Sequence, residues 1–472
     1  MLENIVYALP ELLLICGLIT LQFLNLFKAH QKTVLKSCIV FIIFSAFMEV
    51  IFYNKSFSSH YLNDTAFNTM MNLIVYACAL SVLLLARRWY IATNESPFAF
   101  CEALLLTILF GNIMTASTHF AVTVIAFWGM LGTNFLLLKH SASIKENTSL
   151  VSNYAWSALF FGLLLLFSAF VFYLENGHLS YSSLSAFISL NQDSPEVFYL
   201  MFAILSCFIF LFGFAPFHFW RTENFGQIIL PVLAYFLIVP IGAYFCALIN
   251  LCLHIFNSQT ENIQSLLLGF GAVSMLIGAV GACSGKNIYK LLSYASLFHL
   301  GIMFLALNAF NIKAINNLVF YFLTYLLAMF GIISAFSGLK SKGEYLIMLN
   351  DISGAASKKP YISAMITIYL FSLIGFPPFL GFVGLYAVGF DLAVNNHLYL
   401  LVFLLAILVI IAYGYMQIIK SLYFEKSKNI FDTTENGIYA IILINTLLIV
   451  LISIEPDILI ENIYTITEKL ID

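Results

Sequence analysis

Charge is scarce in this chain. Only 9% of its 472 residues are Asp, Glu, Lys or Arg, where a soluble domain carries about 25%. A water-dispersed globule is therefore excluded. The usual anchors of metal and redox chemistry are also missing. The eight cysteines form no CxxC pair and no Cys/His cluster of metal-ligand spacing. Cys16, Cys38, Cys78, Cys101, Cys207, Cys246, Cys252 and Cys283 all lie in or beside apolar runs and read as small buried hydrophobes. No GxGxxG or Walker loop occurs, so no cofactor is expected on the chain. No nucleic-acid partner is expected either. No cleavable leader is expected. The first apolar run, from Val6 to Phe27, follows Glu3 rather than a basic stretch and has no small-residue cleavage site.

What the chain has is apolar length. Hydrophobic residues make up 62% of it, and the runs match the roughly 20 residues that a helix needs to cross hydrocarbon. Lipid offers the backbone no hydrogen bonds, so each run must be a helix. The expected fold is an all-α polytopic membrane protein with the lipid bilayer as its surroundings. Its spans are placed at 5–27, 34–53, 69–90, 98–117, 119–138, 153–174, 195–219, 228–254, 263–284, 288–309, 314–337, 360–385, 396–420 and 437–455. Stretches such as 175–194 and 340–359 read as loops. Charge sorting supports the count. With the N-terminus outside, only Lys55, Lys313 and Lys469 of the twenty Lys and Arg fall on the outer side. The rest gather inside, as membrane topology prefers. Both termini are thus expected on the periplasmic face of a bacterial inner membrane.

Two spans carry breaks. The seventh ends in Ala215-Pro216-Phe217-His218-Phe219-Trp220, and the twelfth contains Gly375-Phe376-Pro377-Pro378-Phe379-Leu380-Gly381-Phe382. Proline removes a backbone donor and clashes with the preceding turn, so Pro216, Pro377 and Pro378 should interrupt both helices. The breaks fall five spans apart. Two five-helix units in tandem, spans 4–8 and 9–13, would then have opposite orientations. Paired breaks in inverted repeats mark ion paths in transporters; two ordinary proline kinks are the alternative. The chain divides on this reading into 1–97, 98–256, 257–420 and 421–472, all within one transmembrane domain.

These motifs resemble those of the subunit N family of bacterial NADH-quinone oxidoreductase (respiratory complex I), its antiporter-like membrane subunits. Leu9-Pro10-Glu11 is similar to the family's N-terminal Pro-Glu, and Pro216-Phe217-His218-Phe219-Trp220 to its PFHxW. Ser274-Met275-Leu276-Ile277-Gly278-Ala279, Lys290-Leu291-Leu292-Ser293-Tyr294-Ala295-Ser296 and His299-Leu300-Gly301 resemble a third stretch. Gly375-Phe376-Pro377-Pro378 with Gly381-Phe382 resembles its GxPPxxGF. The Pro-Pro form and the short stretch after the last span favour the N branch over its longer relatives. The resemblance implies a fourteen-helix unit in the arm that couples electron transfer from NADH to quinone with proton translocation. It implies other membrane-arm subunits as partners. Flavin and iron–sulfur centres would lie on further subunits, leaving this chain as a non-catalytic part of the translocase.

The departures bear on mechanism. The family's path uses a glutamate and several lysines. On the register of the neighbouring motifs their places are held here by Trp128, Asn153, Leu211, Ile241 and Leu385. Buried ionisable groups are costly in a membrane and persist for function, so a reduced proton path is expected. The remaining relay candidates are His218 beside its break, His299, Lys290 and Glu49. Each has a structural alternative: a histidine bonded to a freed carbonyl, a lysine reaching to water, a carboxyl used in helix packing. Two other readings stay open: a subunit of a multi-subunit cation/proton antiporter or other complex using the same fold, and a purely structural paralogue in a respiratory complex.

Overall fold

The apolar runs fold as helices in the computed structural model, which describes residues 8–52, 57–58, 61–145, 149–309, 311–427 and 429–468. In chain order come α1 (Leu9–Leu26), α2 (Gln31–Phe52), α3 (Ala66–Thr93), α4 (Phe98–Ala116) and α5 (Phe120–Lys145). Next are α6 (Ser149–Asn176), α7 (Tyr181–Leu190), α8 (Pro195–Phe212), α9 (Phe219–Thr222), α10 (Leu230–Ile238) and α11 (Ile241–His254). Then follow α12 (Thr260–Ser284), α13 (Ile288–Ala306), α14 (Ile312–Ser337), α15 (Ala355–Lys358) and α16 (Pro360–Ile374). The last are α17 (Leu380–Val394), α18 (Leu398–Phe424), α19 (Asn436–Ile454) and α20 (Pro456–Glu468). Thirteen runs among the described residues are long and apolar enough to span, α10 and α11 counting as one. The broken pair α16 and α17 supplies the fourteenth.

Local chemistry sets many of the ends. Thr65, Asn287 and Asn311 each accept a hydrogen bond from the backbone N–H three residues on, capping α3, α13 and α14. A small ladder pairs Lys340–Ser341 with Glu344–Tyr345. Its two-residue turn, Lys342-Gly343, has both φ angles positive, the geometry that suits the twist of a tight hairpin. The Asp432 carboxylate accepts from both turn amides, at 3.1 and 2.7 Å.

Three expectations need correction. The stretch 175–194 holds α7 rather than only a loop, and 340–359 holds the hairpin and α15. The twelfth span does not end near residue 385; its second half runs on to Val394. The expected C-terminal tail contains α20. The expected positions of Lys55, Lys428, Lys469 and both chain ends lie outside the described residues.

Contacts divide the chain into two units: 1–212 with 228–263, and 213–227 with 264–471. In the first, α10 and α11 form the core. Their most apolar window is 100% buried, packed by α3, α4, α5 and α8. A helix that is hydrophobic all round belongs inside. In the second, α13 and α14 take that place, at 94% and 83% buried, with α16, α17, α19 and α20 against α14. By contrast α18 and α19 are only 33% and 28% buried, which leaves most of their apolar surface facing outward.

Candidate functional site: the broken helices and the buried polar chains

The two breaks are built alike. Helix α8 stops at Phe212 and α16 at Ile374. Each is followed by a glycine in the left-handed region, Gly213 at φ +69° and Gly375 at φ +77°, where an L side chain is strained. Gly213-Phe214-Ala215-Pro216-Phe217 and Gly375-Phe376-Pro377-Pro378-Phe379 then run in parallel. The Ala215–Pro216 and Pro377–Pro378 bonds are both cis. In each case a serine serves the freed backbone. The Ala215 N–H donates to Ser274 Oγ at 3.1 Å. The Gly381 N–H donates to Ser372 Oγ at 3.3 Å. Pro216, Pro377 and Pro378 themselves are exposed on the isolated chain.

The candidate relay residues fare differently. His218 is half-buried, its ring 6.5 Å from that of Tyr294. Its Nδ1 is buried without a hydrogen-bond partner among the described residues. Lys290 is partly exposed and pairs with the Glu223 carboxylate at 2.6 Å. The Tyr294 hydroxyl donates to the same carboxylate. His299 is fully buried, and both ring nitrogens meet tyrosine hydroxyls at 2.8 Å, Nδ1 with Tyr321 and Nε2 with Tyr415. Glu49 accepts from the Asn72 side-chain amide at 2.9 Å. Thr115 in turn donates to Asn72 Oδ1 at 2.9 Å, so Glu49 is tied into helix packing.

The residues expected to stand in place of the family's charges are packed as apolar groups, with one exception. Leu211 and Ile241 are buried, Ile241 opening α11 immediately after Pro240. Leu385 fills the space beside the α16–α17 break, its Cδ2 2.9 Å from where a Cβ on Gly375 would sit. Trp128 lies against Gly162, where an added Cβ would meet its ring at 2.6 Å. Its indole nitrogen is buried with no hydrogen-bond partner among the described residues. Asn153 is exposed, and its backbone carbonyl accepts from Ser157.

Three features escape a reading of the sequence. Arg221 sorts with the inner-loop basic residues by charge count, yet on α9 it is 2% exposed. It donates to Ser296 Oγ at 2.6 Å, and Tyr325 donates to the same oxygen at 2.8 Å. Its stem lies against Gly213, where a Cβ would come within 2.9 Å of Arg221 Cδ. The one available signal was its place three residues after His218 on the restarted helix. The second feature is Asp391, 3% exposed, which accepts from the Asn317 side-chain amide at 2.5 Å and pairs with Lys313 at 2.9 Å. The third is a neutral polar chain in the first unit. Thr107 and Tyr235 share a hydrogen bond at 2.7 Å, Tyr235 donates to Asn134 at 3.2 Å, and Asn134 donates to Tyr244 at 3.1 Å. Neutral Thr, Tyr and Asn side chains scattered over four helices carry no sequence motif.

Comparison with known proteins agrees with this architecture. The family described as NADH:quinone oxidoreductase/Mrp antiporter, TM matches residues 117–412. NADH-quinone oxidoreductase subunit N of Francisella tularensis subsp. holarctica is 27% identical, over 98% of each chain. That of Pelagibacter ubique is 25% identical, also over 98% of each. Among solved structures, a chain of respiratory complex I from Thermus thermophilus matches with a TM-score of 0.80, at 20% identity, over 96% of this chain and 98% of that one. A chain of the Mrp complex from Dietzia sp. matches with a TM-score of 0.84, at 14% identity, over 99% and 98%. The structural likenesses establish the fold, and the family match spans well over half the sequence: the chain belongs to the NADH:quinone oxidoreductase/Mrp antiporter transmembrane family.

Proposed function

We propose that this protein is an N-type subunit of the membrane arm of a bacterial NADH-quinone oxidoreductase. In that role it takes part in coupling electron transfer from NADH to quinone with proton translocation, assembled with other membrane-arm subunits. The observation that carries the reading is likeness along the whole chain to relatives named NADH-quinone oxidoreductase subunit N. The fold alone is shared with the Mrp complex and does not choose between the two. The redox chemistry falls to other subunits, and this chain contributes coupling and structure rather than catalysis. Its own proton path is reduced. Leucine and isoleucine at positions 211, 241 and 385 cannot titrate, and Arg221, the buried Lys or Arg among the described residues, does not release its proton in proteins.

The test is purification of the tagged chain from native membranes in mild detergent. Co-purification of NADH:quinone reductase activity with iron–sulfur subunits is expected. A complex of antiporter subunits without iron–sulfur proteins would overturn the assignment. Both termini face the periplasm on this reading, which puts the loop after the eleventh of fourteen spans inside, so a reporter fused within the Lys340–Lys359 loop should be cytoplasmic. A periplasmic readout there would reverse the topology.

A further inference from the structure

The second unit holds a cavity of about 420 Å³ at the shared C-terminal end of α12 and α18, within the ~300–1,000 Å³ usual for ligand sites. Lys286, Asn350, Tyr413, Gln417, Lys420 and Glu425 are among its lining residues. The two helices are pinned together there. The Cys283 thiol donates to the Ile410 carbonyl at 2.9 Å, and Gln417 Nε2 donates to the Cys283 carbonyl at 3.3 Å. Lys286 and Lys420 are both exposed, and neither makes an ion pair among the described residues. Glu425 is the acidic group in the lining. Its carboxylate already accepts from Ser353 and Ser421, at 2.7 and 3.2 Å. The cavity therefore offers two available ammonium groups with amide and phenol donors beside them, a setting suited to a phosphate.

What lies beyond the cavity identifies the phosphate's carrier. Val402, Leu405, Val409, Tyr413 and Met416 are all exposed, and their spacing places them on one face of α18. That apolar stripe runs into the cavity at Tyr413. On α12, Val273, Leu276 and Val280 form a second exposed stripe that leads toward the same end. A soluble anion has no use for either stripe. An acyl chain does, in a protein whose surroundings are lipid, and basic pockets between transmembrane helices recognise anionic headgroups. We propose that this cavity is a binding site for one anionic phospholipid, its phosphate held by Lys286 and Lys420 and its acyl chains laid along the stripes of α18 and α12.

The experiment titrates the delipidated, assembled protein with phosphatidylglycerol or phosphatidylcholine and counts retained lipid by native mass spectrometry. Wild type should retain one phosphatidylglycerol that Lys286→Gln/Lys420→Gln binds roughly 30-fold more weakly, from two lost surface charges. Lys286→Arg/Lys420→Arg should keep it. Val409→Trp, with both lysines intact, should lose it by blocking the apolar lane. Equal retention in wild type and the double Gln variant would overturn the proposal. So would equal retention of phosphatidylcholine, or full displacement by inorganic phosphate. Cross-linking of Tyr413→Cys to a neighbouring subunit, showing the cavity covered by protein, would also overturn it.

Discussion

A charged side chain buried inside a protein must be held by specific partners or it destabilises the fold, and Arg221, 2% exposed, shows how. Its guanidinium gives a charge-assisted hydrogen bond to Ser296, and its stem uses the space left by Gly213. Ser296 is thereby an acceptor for two buried donors, Arg221 and Tyr325. Ser296→Ala withdraws that acceptor, and hydrogen bonds to charged groups are worth about 1.5–3 kcal/mol. The variant should therefore unfold earlier by roughly that amount in detergent, while Ser293→Ala, whose hydroxyl only returns to its own helix at Tyr289, should be close to neutral. Equal stability of the two would show that Ser296 does not hold the arginine. At this scale the sequence was partly legible. It marked His218, His299 and Glu49 as ionisable groups in apolar surroundings, and all three have been located. It misread Arg221, because a charge five residues after the break proline Pro216 resembles a loop residue until the restarted helix folds it inward. Tyr321 and Asn72 come from the next helix in the chain and Tyr415 from one 116 residues on, and no local pattern announces them.

At the scale of elements, the long helices and both breaks could be read directly, because hydrophobic length and Gly/Pro punctuation are local properties. The short helices could not. Helix α7 is ten residues and α20 thirteen, too brief to register as spans, and their stability comes from packing on neighbours. The breaks themselves depend on close backbone approach. Gly381 packs so tightly on the Ser372 carbonyl that a Cβ would collide with backbone oxygen, and backbone cannot move aside as a flexible side chain can. Gly381→Ala should therefore shift the start of α17 and sharply lower the amount of assembled subunit in membranes. Ser372→Ala removes only the side-chain acceptor for the Gly381 amide and should cost about 1–3 kcal/mol, with assembly retained. Normal abundance of Gly381→Ala would mean that the two halves of this helix are less closely docked than they are here.

For the whole molecule, the question is whether it conducts protons or supports a complex that does. The polar groups inside its two units are mostly neutral and mutually satisfied: Thr107, Tyr235, Asn134 and Tyr244 in the first, His299 between two tyrosines in the second. Hydroxyl and amide chains can line a wet path, yet without a group that alternately gains and loses charge they do not gate one. His218 retains that capacity, being half-buried beside a break. If this subunit carries little of the flux, His218→Ala in the assembled complex should lower the proton-to-electron ratio only modestly. The converse substitution is equally informative. Leu211 is 2% exposed, and no carboxylate occurs from Thr118 to Phe135, where the family's glutamate is expected. Leu211→Lys would therefore bury an unpaired ammonium at a cost of several kcal/mol, or force it neutral. The expected result is reduced assembly with no gain in pumping, read from subunit abundance and proton flux in proteoliposomes. Full loss of pumping in His218→Ala with assembly intact would show that a relay has been rebuilt around that histidine. Restored flux in Leu211→Lys would show that the path persists and lacks only its charge.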